Sequence, residues 1–142
     1  CTACPAGSSC STGSLEHTPC SEGTVQPATN QRTCVKCDAG KYQHGPGETA
    51  CFECTAGSYC AEGAAAALPC PGGSFSGTQG LRSSGQCTAC PAGSFCFPGS
   101  LEATPCGKGT FANSTSSQLC TPCEATTYQP NPGGSFCLSC GQ

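Results

Sequence analysis

The sequence predicts a small disulfide-rich fold, an elongated tandem array of cysteine-stapled units with short β-ribbons and little helix. Three observations predict it. Eighteen of 142 residues are cysteine, well above the level that marks a disulfide scaffold. The chain repeats itself: residues 1–56 align with 87–142 at a constant offset of 86, with 28 identities, of which only eight are cysteines. The apolar content is also too thin for one continuous core. Leaving cysteine aside, it amounts to 16 Ala, six Leu, six Phe, three Tyr and two Val, with no Ile, Met or Trp. A domain that cannot bury enough apolar surface needs covalent staples.

The repeat fixes the organisation before any single residue is read. Cys87–Cys106, CTACPAGSFCFPGSLEATPC, matches Cys1–Cys20 at sixteen of twenty positions, and a related block occupies 51–70. The 86-residue period sets a boundary between Gln86 and Cys87. It divides the chain into a first super-repeat, 1–86, with sub-blocks 1–50 and 51–86, and a second, truncated one, 87–142. The pattern reads as a window of a longer repetitive chain.

The cysteines are of two kinds. Openers (Cys4, Cys20, Cys37, Cys54, Cys70, Cys90, Cys106 and Cys123) are each followed by a variant of x-x-G-[STK]-[aromatic or Val]; Cys140 is a ninth. The others, beginning with Cys1, close a loop. Glycine at the third position, with Thr126 as the exception, suits a tight turn with positive φ. The fifth position is Val25, Tyr42, Tyr59, Phe75, Phe95, Phe111 or Tyr128, with Ser9 as the exception. One ring per unit lying over a disulfide makes a miniature core. Each aromatic is expected to start a strand of two to four residues. Ala61–Leu68, with four consecutive alanines, is the only plausible helical turn. Loops from opener to closer hold five, thirteen or sixteen intervening residues.

Spacing leaves two disulfide patterns open. In the sequential one, each opener joins the next closer, and Cys1 and Cys140 pair outside the window. In the crossed one, Cys1–Cys10 interlocks with Cys4–Cys20, Cys34–Cys51 with Cys37–Cys54, Cys87–Cys96 with Cys90–Cys106, and Cys120–Cys137 with Cys123–Cys140, while Cys60–Cys70 stands alone. Segments 70–90, CPGGSFSGTQGLRSSGQCTAC, and 106–123, CGKGTFANSTSSQLCTPC, carry the signature C-P-x-G-[ST]-[FY]…G…C-x-x-C. They resemble the ephrin-receptor-like cysteine-rich repeat, itself similar to the cysteine-rich modules of tumour-necrosis-factor receptors and of the growth-factor-receptor type. In those modules the cysteine before the turn pairs with the next one along. The resemblance therefore implies the sequential set: Cys4–Cys10, Cys20–Cys34, Cys37–Cys51, Cys54–Cys60, Cys70–Cys87, Cys90–Cys96, Cys106–Cys120 and Cys123–Cys137. The C-x5-C-x9-C block is a departure from the receptor modules.

Cysteine density places the chain in an oxidising, extracellular or cell-surface setting. The charge is −3, with five Lys+Arg and no basic run, which argues against nucleic acid. No apolar stretch reaches the ~20 residues of a membrane span. The CVKC–CFEC and CTPC–CLSC pairs have zinc-ribbon-like spacing, but they sit in a ladder of further cysteines, so no metal is expected. Neither is a cofactor or catalysis: His17 and His44 fall outside the repeat design. Asn113-Ser114-Thr115 is an N-glycosylation sequon in a long loop. These readings point to an extracellular structural rod, spacer or filament module. Its partners would be other segments of the same long chain or like chains laterally, through Phe52, Phe97, Phe136 and Ala64–Ala67. The alternative is a receptor ectodomain of the cysteine-rich type that binds a protein ligand.

Overall fold

The computed structural model describes residues 3–141; Cys1 lies outside the described residues. The regular strands form eight two-stranded antiparallel hairpins, and every strand is two residues long. Ser8–Ser9 pairs with Thr18–Pro19, Thr24–Val25 with Val35–Lys36, Lys41–Tyr42 with Phe52–Glu53, and Ser58–Tyr59 with Leu68–Pro69. Ser74–Phe75 then pairs with Thr88–Ala89, Ser94–Phe95 with Thr104–Pro105, Thr110–Phe111 with Thr121–Pro122, and Thr127–Tyr128 with Leu138–Ser139. Each hairpin is one repeat, numbered 1 to 8 here by its opener, from Cys4 to Cys123. Successive openers are 16 or 17 residues apart, except for 20 between Cys70 and Cys90.

The opener motif builds the turn into each hairpin. In repeat 2, Thr24 N–H donates to Ser21 C=O (3.0 Å) and Gly23 has φ 78°, which is the glycine position of a type II turn. In four repeats the next residue adds a local bond: the hydroxyls of Thr24, Ser74, Thr110 and Thr127 donate to the same turn carbonyls at 2.7 Å. The hairpin is closed from its far end, where the next opener's N–H reaches back to the glycine carbonyl, as from Cys37 to Gly23 (2.9 Å). The aromatic is thus the last residue of its strand, not the first of a longer one. The strand stops because the residue after it turns its backbone to the neighbouring repeat.

By contact the chain forms two compact units: Cys1–Thr55, Tyr59–Leu68 and Gln79–Ser83 in one, Ala56–Ser58, Pro69–Thr78 and Ser84–Gln142 in the other. The same junction recurs within each. In the first, Gly23 N–H donates to Gln43 C=O (2.7 Å) and Gln26 N–H to Glu48 C=O (3.1 Å), while Gly47 N–H donates back to Cys20 C=O (2.8 Å). In the second, Gly93 N–H donates to Ala112 C=O (2.8 Å), Cys96 N–H to Ser117 C=O (3.0 Å), and Ser116 N–H to Cys90 C=O (2.7 Å). Equivalent triplets link each repeat to its successor at all seven junctions.

A second layer of order comes from two repeats away. A Cβ placed on Gly23 would collide with the carbonyl of Gly63, and one on Gly73 with the carbonyl of Ser116. Glycine there meets two demands at once, positive φ and close backbone approach. Gly109 has nothing within 4 Å of its Cβ position, and the next member of the column, Thr126, carries a side chain at φ 72°.

The buried centre differs from the expected ring-over-disulfide core. Tyr42, Tyr59, Phe75, Phe95 and Phe111 are only half-buried and Tyr128 is exposed, although Val25 is buried. Fully buried instead are the opener sulfurs from Cys20 to Cys106, together with Cys60, Cys96 and Gln43. The expected helical turn at Ala61–Leu68 is absent. Ala64 N–H closes a β-turn on Ala61 C=O (3.1 Å), Gly63 takes φ 73°, and the Ala64 carbonyl accepts from Gln43 N–H (3.1 Å). Backbone groups claimed by a neighbouring repeat cannot also serve a helix. A short 3-10 turn, Ser84–Gln86, lies in the longest loop instead.

Candidate functional site: cross-links, loop clamps and the exposed face

Eight disulfides join each opener to the next closer: Cys4–Cys10, Cys20–Cys34, Cys37–Cys51, Cys54–Cys60, Cys70–Cys87, Cys90–Cys96, Cys106–Cys120 and Cys123–Cys137. This is the sequential pattern; Cys10 is bonded to Cys4 and Cys34 to Cys20, so the crossed pairs are not formed. Cys140 carries a free, exposed thiol. The four sulfurs of the CVKC–CFEC set are distributed over three disulfides, so none is a free thiolate of the kind a zinc site requires. A cross-link set of this density belongs to an oxidising environment. No helix among the described residues is long and apolar enough to cross a membrane.

The residue six places after each opener was not singled out from the sequence, yet it organises the loop in every repeat but the seventh. In repeats 1, 4 and 6 it is the closing half-cystine: Cys10, Cys60 and Cys96. In repeats 2, 3 and 8 it is a buried glutamine that spans the long loop. Gln26, Gln43 and Gln129 donate from Nε2 to the carbonyls of Thr33 (2.8 Å), Ala50 (2.6 Å) and Phe136 (2.6 Å), each just before the closer. Their Oε1 atoms accept from the N–H groups of Ala28 (3.0 Å), Gly45 (3.1 Å) and Asn131 (3.1 Å). Both ends of each amide are therefore satisfied, as burial demands. Ser76 supplies a partial version, its Oγ accepting from Thr78 N–H (3.1 Å). Repeat 7 has Ala112 and no clamp. A signal existed: glutamine recurs at one column of the repeat, though in a single loop it reads as an ordinary polar residue.

The surface residues proposed for lateral contact are placed unequally. Phe52, Phe97 and Phe136 are 49, 54 and 61% exposed; Ala65 and Ala66 are exposed, while Ala64 and Ala67 are half-buried. Phe97 packs edge-on to Phe95 with centroids 5.2 Å apart. Phe52 belongs to a cluster on repeat 3. It lies 5.9 Å from Tyr42, its cross-strand partner, and 5.6 Å from His44. Sequence reasoning missed Val35 and Leu138, which face Val25 and Tyr128 across their hairpins and are also exposed. Cross-strand neighbours of this kind are the unit of hairpin stabilisation. His17 and His44 are both exposed and lie in different repeats. Asn113 is exposed in the unclamped loop of repeat 7.

No protein-family model and no curated protein matches this chain.

Proposed function

We propose that the chain is a non-enzymatic structural spacer, a rod-like segment of a secreted or cell-surface protein, comparable in role to the stacked cysteine-rich repeats it resembles. One observation carries this reading: the same three backbone hydrogen bonds recur at every junction, whatever side chains the repeats present. A chain whose contacts run from neighbour to neighbour produces length and stiffness. Like chains laterally, or further segments of the same chain, are the partners of such a rod. Negative-stain imaging of the native full-length protein tests it. Extended particles or laterally packed fibres are expected; compact monomers, or monomers with a partner bound at one mid-array position, would sink it.

One observation favours a second reading, a receptor ectodomain that binds a protein ligand. The Tyr42, His44 and Phe52 cluster joins three rings on the surface of repeat 3, and aromatic groups are enriched at interface centres. Substituting Phe52 and His44 by alanine separates the two readings. A spacer keeps its particle length and assembly; a receptor loses its ligand.

A further inference from the structure

Of the five repeats closed by a long loop, only repeat 7 lacks a polar side chain six places after the opener. Gln26, Gln43 and Gln129 tie the middle of their loops to the residue before the closer, and Ser76 ties its own loop locally. The methyl side chain of Ala112 can tie nothing. Ser114 N–H and Leu119 C=O, which stand where the glutamine-clamped loops have a bound N–H and a bound C=O, meet no such side chain. The sequon Asn113-Ser114-Thr115 occupies this segment, and all three residues are exposed. The residue at the position of Asn113, seven places after the opener, is exposed in every repeat from Ser11 to Pro130. A bulky group there projects into solvent without meeting the ladder.

We infer that Asn113 is an N-glycosylation site, and that the missing clamp makes this loop the acceptor. The Asn113 amide nitrogen loses a proton and bonds to the anomeric carbon of an oligosaccharide. The bond from that carbon to a lipid-linked diphosphate breaks, and the diphosphate leaves with the electron pair. The inference rests on passage through the oxidising secretory route assumed under the proposed function.

The chain contains its own control. Pro27-Ala28-Thr29 occupies the equivalent positions of repeat 2, so Pro27→Asn creates an Asn-Ala-Thr sequon in a loop held by Gln26. The full chain, Asn113→Gln, Asn113→Gln with Pro27→Asn, and that double variant with Gln26→Ala are secreted from a glycosylating eukaryotic host. Intact mass is read before and after an N-glycan amidase. Most of the parent chain should lose a glycan mass on amidase treatment, and Asn113→Gln should not shift. Occupancy of the sequon introduced at position 27 should be at least several-fold lower with Gln26 present and rise when Gln26 is replaced by alanine. Secreted, fully oxidised chain without a glycan overturns the site. Equal occupancy at position 27 with and without Gln26 overturns the role of the clamp. Failure of the proposed setting looks different: the chain is then retained, with reduced thiols in its mass.

Discussion

Repeats 3 and 4 are consecutive in sequence and close their loops differently. In repeat 3, Cys37 reaches 14 residues forward to Cys51, and a buried glutamine spans the loop it encloses. In repeat 4, Cys54 reaches only six residues forward to Cys60, the position Gln43 holds in repeat 3. The backbone ignores the difference. Gly23 N–H donates to Gln43 C=O at 2.7 Å and Gly40 N–H to Cys60 C=O at 2.8 Å; Gln43 N–H donates on to Ala64 and Cys60 N–H to Leu81. The repeat is therefore defined by its turn and its junction bonds. The cross-link is an attachment that can be placed at either of two points.

That contrast can be broken in several ways, and the largest effect should come from what both kinds of repeat share. Gly73→Ala must bear both a left-handed backbone, worth about 1 kcal/mol, and displacement of the Ser116 carbonyl, for which overpacking costs of about 1–3 kcal/mol are typical. Gly109→Ala carries only the first. Thermal unfolding of the two variants should show the larger loss at Gly73; equal losses would mean that the approach from two repeats away contributes nothing.

Next come the cross-links. Chain entropy assigns about 3 kcal/mol to the Cys37–Cys51 loop and about 2.4 kcal/mol to the shorter Cys54–Cys60 loop. Replacing each pair by alanine and comparing denaturant midpoints tests the order. A larger loss from the short pair would show that burial of Cys54 and Cys60 outweighs loop length.

Gln43→Ala should cost about 1–3 kcal/mol, because it strands the Ala50 carbonyl and the Gly45 N–H. Amide exchange should speed up at Gly45 before it does at the junction bonds. The smallest effect is expected from a conversion. Gln43→Cys combined with Cys51→Ala gives repeat 3 the wiring of repeat 4, with alanine where Ala67 and Ala103 already stand in short-loop repeats. Loop closure changes by only about 0.7 kcal/mol. Disulfide mapping should find Cys37 bonded to the thiol introduced at position 43, and a Cys37 left unpaired would show that the two wirings are not interchangeable.

The cysteine ladder and the glycine turns were legible in sequence because both are local and repeat at a fixed offset from an opener, whereas each first strand ends on the residue expected to start it. The buried column at Gln26, Gln43 and Gln129 was not legible. A polar residue in a loop carries no sign of burial until its two backbone partners are in place. The approach of Gly63 to Gly23 was hidden for another reason: it joins residues of repeats two apart, and no local pattern reports on such a distance. The helical turn that Ala61–Leu68 made plausible does not form because alanine propensity is weak beside backbone groups already bonded to the neighbouring repeat. One ring per repeat over its disulfide reads as a core when each repeat is taken alone, but the junctions bury the sulfurs and leave the rings only half-buried or exposed.

Among the described residues no disulfide leaves its own repeat, and the longest spans 17 residues. During synthesis, each unit can oxidise once its own two cysteines have emerged, without waiting for a distant partner. The same property bears on inheritance. A duplication or deletion of one 16- or 17-residue unit leaves each of the other disulfides with both of its cysteines, so a gene of this kind can change copy number without orphaning a half-cystine.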